Sequence, residues 1–200
     1  MIIDKEPAMI KIFKFYLFTK YHIPNEMADK IAALMIPKKV ERGTILLHQG
    51  EICTHVFFVA RGCIRSYVTD KKGKTHTLSF APEEWWIGDQ ISLYRTEPAM
   101  FSMDAVEDSD ILLADRMFFE KMPDVYEGFH RKCITHLLYH LRAMEKRLLY
   151  LLGAYSDERY LNFMEAYPEL AARLPQYMIA SYLGISRQSL SRIRSKLAQQ

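Results

Sequence analysis

The stretch IASYLGISRQSLSRI, residues 179–193, predicts two short helices joined by a tight turn. Ala180 is small enough to let a second helix cross the first one closely. Gly184 lies where such a turn requires a positive φ, which glycine adopts without steric cost. Ile185 would fill the angle between the helices, and Ser186 is a good N-cap for the second helix. The sequence therefore predicts a helix-turn-helix at this end of the chain.

The second helix of this motif, predicted over residues 187–197, has one apolar and one basic face. Leu190, Ile193 and Leu197 recur at 3–4 spacing and form the face that we expect to be buried. The last 24 residues contain four basic residues and no acidic ones. Arginine and glutamine near a helix N-terminus suit the major groove, where arginine bonds guanine and glutamine bonds adenine. We expect the exposed residues of this helix to contact DNA. The residues expected to contact bases are Arg187, Gln188, Ser191 and Arg192, and those expected to contact phosphates are Arg194 and Lys196.

A long helix with a coiled-coil seam is predicted before this motif. Its apolar residues follow one another at intervals of 3, 4, 3, 4 and 3 positions: Ile134, Leu137, Leu141, Met144, Leu148 and Leu151. A strict 3.5-residue period gives a stripe narrower than an ordinary core face. The stripe could pack on the chain's own domain or against its copy in a second chain. The narrow period favours packing against the second chain, which would give a two-fold homodimer.

The region from Gly43 to Asp115 is typical of short antiparallel strands. Runs rich in β-branched and aromatic residues alternate there with turn residues, and no long helix intervenes. In the predicted strand 74–80, His76, Leu78 and Phe80 are assigned to one face and the intervening Thr and Ser residues to the other. This pattern predicts a β-roll or barrel. The first forty residues predict short helices, the second of them closed by Pro37.

Together these patterns predict an α+β fold: an N-terminal antiparallel β-roll of the jelly-roll type, a long dimerisation helix and a C-terminal helix-turn-helix. We place the sensor domain at 1–122, the dimerisation helix at 123–153 and the DNA-binding domain at 154–200. The 200 residues have a net charge of +3, and no segment is apolar enough to span a membrane or to act as a secretory signal. Three cysteines without a CxxC pair indicate a reducing compartment, so we expect a cytoplasmic protein.

The chain resembles the Crp/Fnr superfamily of bacterial transcription regulators over essentially all of its length. The resemblance rests on Gly50-Glu51, VARG at 59–62, WIGD at 86–89 and the segment 186–192. It implies a β-roll of the cyclic-nucleotide-binding type, a long dimer helix and a winged helix-turn-helix. It places Arg187, Gln188 and Arg192 at the base-contacting positions, with glutamine where the family usually has glutamate. Since the chain ends soon after this helix, any wing hairpin would precede it or be reduced.

The resemblance also identifies a sensor pocket in which this chain departs from cyclic-AMP binders. Those proteins have a Gly-Glu pair that meets the ribose and an Arg-Ser pair whose arginine neutralises the cyclic phosphate. The corresponding pairs here are Gly88-Asp89 and Phe101-Ser102. Without the arginine, a desolvated phosphate lacks its charge-assisted partner. We therefore do not expect cyclic AMP to bind, which leaves a different small effector or none.

The remaining candidate site is a cluster of Cys133, His136 and His140 beside the seam. Histidines spaced i, i+4 can share a metal ion. We favour side chains that flank the seam and predict no metal site, because the HExxH pattern is absent. The sequence also lacks a phosphate-cradling glycine loop and a G-x-S-x-G elbow, so we predict no catalytic residues and no enzyme.

The leading hypothesis is a homodimeric, sequence-specific DNA-binding regulator. We expect double-stranded DNA, a second copy of the chain and RNA polymerase as partners, a small-molecule effector as a further one, and no membrane. The alternative is a ligand-binding or interaction protein whose C-terminal helices contact protein rather than DNA. Salt dependence separates the two, because each phosphate contact releases counterions.

Overall fold

The computed structural model describes residues 6–199, which divide into two compact units. The first unit comprises the residues up to Val68 together with Phe80–Cys133. The second comprises Thr69–Ser79 together with the residues from Ile134 onward. A short hairpin segment of the β-region is therefore grouped with the C-terminal helices.

The first unit begins with two helices, α1 (Ala8–Tyr21) and α2 (Asn25–Ala32). The strands then follow in the order β1 (Ile36–Val40), β2 (Ile45–Leu47), β3 (His55–Arg61), β4 (Ile64–Thr69), β5 (Thr75–Ala81), β6 (Trp86–Ile87), β7 (Ser102–Ala105) and β8 (Ser109–Asp115). Helix α3 (Gln90–Arg95) lies between β6 and β7, and α4 (Arg116–Val125) follows β8. The strands form two four-stranded sheets, ordered β1-β8-β3-β6 and β2-β7-β4-β5. The pairs β1–β8, β3–β8, β2–β7 and β4–β7 are antiparallel.

Strands β3 and β8 are buried on both faces, because their alternate side chains enter two different apolar clusters. Phe58 and Leu112 pack with α1 and α2, where the rings of Phe58 and Phe13 lie 4.9 Å apart. Val59 and Ile111 point the other way, into the space between the two sheets. This arrangement follows from the period of two in a strand. It explains why VFFVA at 56–60 reads as a continuous apolar run.

Helix α5 (Phe129–Gly153) starts in the first unit, and most of it belongs to the second. It is followed by α6 (Ser156–Ala166), α7 (Leu170–Arg173), α8 (Gln176–Leu183) and α9 (Arg187–Leu197). Helices α6, α8 and α9 pack on one another around side chains that are less than a tenth exposed: Tyr160, Phe163, Ile179, Leu183 and Leu190. The bounds of α9 are those predicted from the sequence.

The β-roll confirms the predicted fold class, but several elements differ from the sequence predictions. The prediction that Pro37 closes a helix is wrong, because α2 ends at Ala32 and Pro37 lies in β1. Strand β1 is at the edge of its sheet, where the missing N–H of proline is tolerated. The polar face assigned to β5 is also wrong in part, since Thr77 is only 2% exposed. Helix α3, strand β6 and helix α7 had no sequence prediction.

The predicted domain boundaries stay predictions, but two structural facts bear on them. Pro123 lies inside α4, and the long helix starts only at Phe129. Between residues 154 and 199 the structure contains helices and no strand, so this part of the chain shows no wing hairpin. No helix within residues 6–199 combines the length and apolar character that a membrane span requires.

Candidate nucleic-acid interface

The turn between α8 and α9 has the geometry that the sequence predicts. Gly184 adopts φ 67° and ψ 31°, the left-handed region in which a side chain would be strained. The N–H of Gly184 donates to the carbonyl of Ser181 at 3.2 Å, and that of Ile185 donates to the carbonyl of Ala180 at 3.0 Å. These bonds satisfy carbonyls at the end of α8 that have no partner within the helix. They fix the direction in which α9 departs.

The start of α9 is held by its N-cap. The Ser186 hydroxyl accepts the N–H of Ser189 at 3.0 Å, as expected for a serine at this position. Leu190 is fully buried and Ala180 is 2% exposed, so the two helices cross at close range. Ile185, Ile193 and Leu197 are half-buried, which makes the apolar face of α9 narrower than predicted.

The opposite face of α9 is exposed and basic. The sequence of the helix, RQSLSRIRSKL, contains no acidic residue. Each side chain predicted to contact DNA is exposed: Arg187, Gln188, Ser191, Arg192, Arg194 and Lys196. The guanidinium of Arg187 lies over the ring of Tyr177, 4.9 Å from its centroid. This cation–π contact limits the conformations of Arg187 before any DNA is bound.

Two arginines that the sequence analysis missed hold the end of α8. Nη2 of Arg147 donates to the carbonyl of Tyr182 at 2.9 Å, and its guanidinium lies 4.2 Å from the ring centroid of the same tyrosine. Nη1 of Arg159 donates to the carbonyl of Leu183 at 2.9 Å. Cations stabilise the C-terminus of a helix through its partial negative charge. No local pattern reveals these contacts, because 24 or more residues separate the partners.

The hairpin segment grouped with the second unit is also bonded to α8. The Ser181 hydroxyl accepts the N–H of Thr77 at 2.9 Å and donates to the carbonyl of Thr75 at 3.0 Å. Nη2 of Arg147 donates to the carbonyl of Thr77 at 3.1 Å. These contacts are the physical reason why Thr77 is buried, although the sequence pattern of β5 assigned it to the polar face.

The predicted seam on α5 is an uncovered apolar stripe. No residue of α5 is fully buried. The exposed fractions are 59% for Ile134, 47% for Leu137, 55% for Leu141 and 55% for Leu148. The other two seam residues, Met144 and Leu151, are half-buried, and Leu151 approaches Gly184 within the second unit. A stripe of leucines facing solvent is the arrangement expected of a helix that pairs with another molecule.

The residues of the predicted effector pocket include Asp89, whose carboxylate accepts two backbone N–H groups. One oxygen accepts the N–H of Ser92 at 3.0 Å and so caps α3. The other accepts the N–H of Met100, also at 3.0 Å. Asp89 is 8% exposed. Asp89 therefore holds both the start of α3 and the loop that precedes β7.

The other predicted pocket residues are equally engaged in the roll. The Ser102 hydroxyl accepts the N–H of Gln49 at 2.9 Å, and Phe101 packs against the cluster between the sheets. A Cβ on Gly88 would lie 2.9 Å from the Val56 side chain, so glycine allows β3 to approach this loop. These residues are close in the fold, as predicted, but their polar atoms are bonded to the chain itself.

One arginine does lie on the same sheet face as Ser102. Arg65 on β4 is opposite Asp104 on β7, two residues from the Tyr67–Ser102 pair. Nε of Arg65 donates to Asp104 at 2.9 Å, and Nη2 completes a bidentate ion pair with the same carboxylate. Both side chains are largely buried. Asp104 therefore already neutralises the charge of Arg65 within the roll.

The cysteine and histidine cluster near the start of α5 shows the pKa shifts of partly buried side chains. Burial raises the pKa of the Cys133 thiol to about 11, which disfavours the thiolate that binds metals. Burial also lowers the pKa values of His136 and His140. Within residues 6–199 no group of three or more histidine, cysteine, aspartate and glutamate side chains is placed to hold a metal ion.

Comparisons with known proteins agree with this architecture. Residues 37–125 match the family model of the cyclic nucleotide-binding domain. FixK2 from Bradyrhizobium japonicum superposes with a TM-score of 0.73 at 20% identity, covering 82% of this chain and 85% of that one. A mutant of CooA from Carboxydothermus hydrogenoformans gives a TM-score of 0.68 at 19% identity, covering 84% and 78%. A chain from Eubacterium rectale assigned to the Crp/Fnr family of transcriptional regulators gives 0.67 at 17% identity, covering 92% and 88%. Curated proteins yielded no match.

The chain thus contains a domain of the cyclic nucleotide-binding type. Its fold is similar to those of FixK2, CooA and the Crp/Fnr-family regulator from Eubacterium rectale, so the resemblance stated from the sequence is confirmed at the level of the fold.

Proposed function

We propose that this protein is a homodimeric, sequence-specific DNA-binding transcription regulator that acts in the bacterial cytoplasm and works through RNA polymerase. The observation that supports this best is the exposed, purely basic face of α9 on a rigid turn. Arg187, Gln188 and Arg192 would contact base edges in the major groove, and Arg194 and Lys196 would contact phosphates. We propose no catalytic role.

The dimer would form through the exposed stripe of α5. Two helices with the same apolar stripe pack with two-fold symmetry and bury it. This arrangement would place two copies of α9 on successive major grooves, about 34 Å apart on one side of the duplex. The operator would then be a palindrome whose half-site spacing mirrors the symmetry of the dimer.

The proposed regulator does not respond to cyclic AMP. Arg65 is neutralised by Asp104, and both oxygens of Asp89 are bonded to backbone N–H groups. A cyclic phosphate in this roll would be desolvated without a free cation to pair with it. We therefore propose that the roll binds either a different small effector or no ligand at all.

The salt dependence of DNA binding tests the proposal against its alternative, in which α9 contacts another protein. The affinity for genomic DNA fragments should fall steeply with salt, since each neutralised phosphate releases counterions. Replacing Arg194 and Lys196 together by alanine removes four phosphate contacts from the proposed dimer, so the slope of log K against log salt should become less steep by roughly four, about one for each contact. Arg142→Ala, on the exposed surface of α5, is the matched control and should leave the slope unchanged. A slope near zero in the wild-type protein would favour the protein-contact alternative.

A further inference from the structure

The second unit contains a cavity of about 120 Å³ that has no part in the proposed DNA contacts. It lies between α5, α6 and the end of α8. Helix α5 contributes Ala143 and Arg147, α6 contributes Arg159 and Ala166, and α8 contributes Tyr182. The three elements that position the helix-turn-helix therefore meet around one space.

The walls of this cavity are cationic. Lys146, Arg147 and Arg159 line it, and none of its lining residues is aspartate or glutamate. Throughout residues 6–199, no carboxylate lies within ion-pairing distance of these three side chains. Burial lowers the pKa of Arg147, since the guanidinium is desolvated without a compensating anion. Basic side chains that line a cavity without nearby carboxylates favour the binding of an anion there.

Arg147 also has a hydrogen-bond donor that the described residues leave unused. Its Nη2 donates to the carbonyls of Thr77 and Tyr182, but its Nε is buried and has no acceptor within residues 6–199. Buried polar groups in proteins are almost always bonded. A carboxylate or similar anion in the cavity would provide the counter-charge that the Arg147 guanidinium lacks.

The remaining walls are largely aromatic. Phe163 lies between two tyrosine rings, with centroid distances of 5.4 Å to Tyr167 and 5.5 Å to Tyr182. Tyr150 contributes a further ring, with Nζ of Lys146 5.8 Å from its centroid. The cavity size limits the occupant, because an apolar cavity of about 150 Å³ holds one benzene molecule. This cavity is somewhat smaller and is open on one side, so an occupant of one ring with a small acidic group would be only partly enclosed.

We propose that this cavity binds a small organic anion with a single ring, of the aromatic carboxylate class. The carboxylate would be held at Arg147 and Arg159, and the ring would lie against Tyr182 and Phe163. On α5, Ala143, Lys146 and Tyr150 lie off the seam positions, whereas Leu151, the last seam residue, also lines the cavity. Because the occupant would tie α8 to α5 and α6, its binding would change the DNA affinity of the dimer; this last step rests on the proposed function.

Calorimetric titration of the full chain with benzoate and with phenylacetate tests the site without DNA. At least one of these anions should bind and raise Tm. Benzamide, which has the ring without the charge, and acetate, which has the charge without the ring, should each bind at least about tenfold more weakly. If neither aromatic anion binds, the proposal is overturned. Equal binding of acetate and benzoate would show a nonspecific anion site and would overturn it too.

Variants locate the binding in the cavity. Ala166 lies at the exposed rim, so Ala166→Phe should obstruct the cavity and weaken benzoate binding about tenfold or more without unfolding the protein. Ala172→Phe, on the exposed surface of α7 outside the cavity, should bind as the wild type does. Arg147→Gln should also lose binding, with circular dichroism to verify its fold. Unchanged binding in Ala166→Phe would place the ligand elsewhere and refute the assignment.

A DNA measurement separates the failure of this site from the failure of the proposed function. Adding benzoate should change the DNA affinity of the wild-type protein. It should have no effect on the DNA affinity of Ala166→Phe. If benzoate binds in calorimetry but the protein does not bind DNA, the proposed ligand site is supported and the proposed regulator function is contradicted. If DNA binds and no aromatic anion does, the regulator stands and the cavity proposal fails.

Discussion

The β-roll pocket and the helix-turn-helix use the same kinds of polar side chains in opposite ways. In the roll, Asp89 and Ser102 accept backbone N–H groups, and Arg65 is paired with Asp104. On α9, Arg192 and Gln188 are exposed to solvent. A polar group that is already bonded within the fold stabilises that fold, whereas an exposed one is available to a partner. The comparison shows that the exposed basic side chains lie on α9, in the second unit, whereas Asp89, Ser102 and Arg65 are bonded within the roll.

The largest effect in this comparison is expected at the seam. Leu141→Asp would place an unpaired carboxylate in the proposed apolar interface, where a buried charge is strongly unfavourable. We expect the dissociation constant of the dimer to rise about a hundredfold or more, which corresponds to a loss of roughly 3 kcal/mol in the free energy of association. Sedimentation over a concentration series measures this.

The matched control is Arg142→Asp, which puts the same charge on the next residue of α5, away from the seam. It should sediment as the wild type does. If Leu141→Asp also sediments as an unchanged dimer, the seam assignment fails.

A second prediction concerns Asp89, whose role we assign to the fold. Asp89→Ala removes the N-cap of α3 and leaves the N–H groups of Ser92 and Met100 without their acceptor. We expect a loss of about 1–3 kcal/mol in the free energy of unfolding. Denaturant unfolding with an unchanged m-value checks this. If Asp89→Ala is as stable as the wild type, its oxygens are not structural and the pocket must be reconsidered as a ligand site.

A third prediction concerns the turn of the helix-turn-helix. Gly184→Ala forces a side chain into φ 67°, which costs about 1 kcal/mol. The added Cβ would lie 3.4 Å from Leu151, an ordinary contact, so backbone strain alone should set the loss. Thermal unfolding measures it, and an increase in Tm would contradict the turn geometry.

The smallest predicted effect concerns Tyr177, which we interpret as a positioning residue for Arg187. Tyr177→Leu removes the ring under the guanidinium and should weaken specific DNA binding by roughly 0.5–1 kcal/mol. Tyr177→Phe keeps the ring and should retain wild-type affinity. If both variants bind DNA equally, the stacking contact has no role in recognition.

The sequence predicts the helix-turn-helix better than any other part of the molecule, because its determinants are local. Ser186 caps α9 from three residues away, and Gly184 adopts its conformation without distant partners. Strand β1 could not be predicted in the same way, since it depends on pairing with the distant strand β8. The bond from Asp89 to Met100 and that from Arg147 to Tyr182 were likewise hidden, because these partners are 11 and 35 residues away.

The central claim is that the exposed face of α9 reads DNA base edges, and a genomic footprint tests it most directly. The wild-type protein should protect discrete sites with two-fold symmetric half-sites. The double variant Arg187→Ala, Arg192→Ala should lose those footprints while retaining its fold, with a loss of about 1–3 kcal/mol per base contact. Footprints that persist unchanged in the folded double variant, or a wild-type protein that protects no DNA at low ionic strength, would contradict the account.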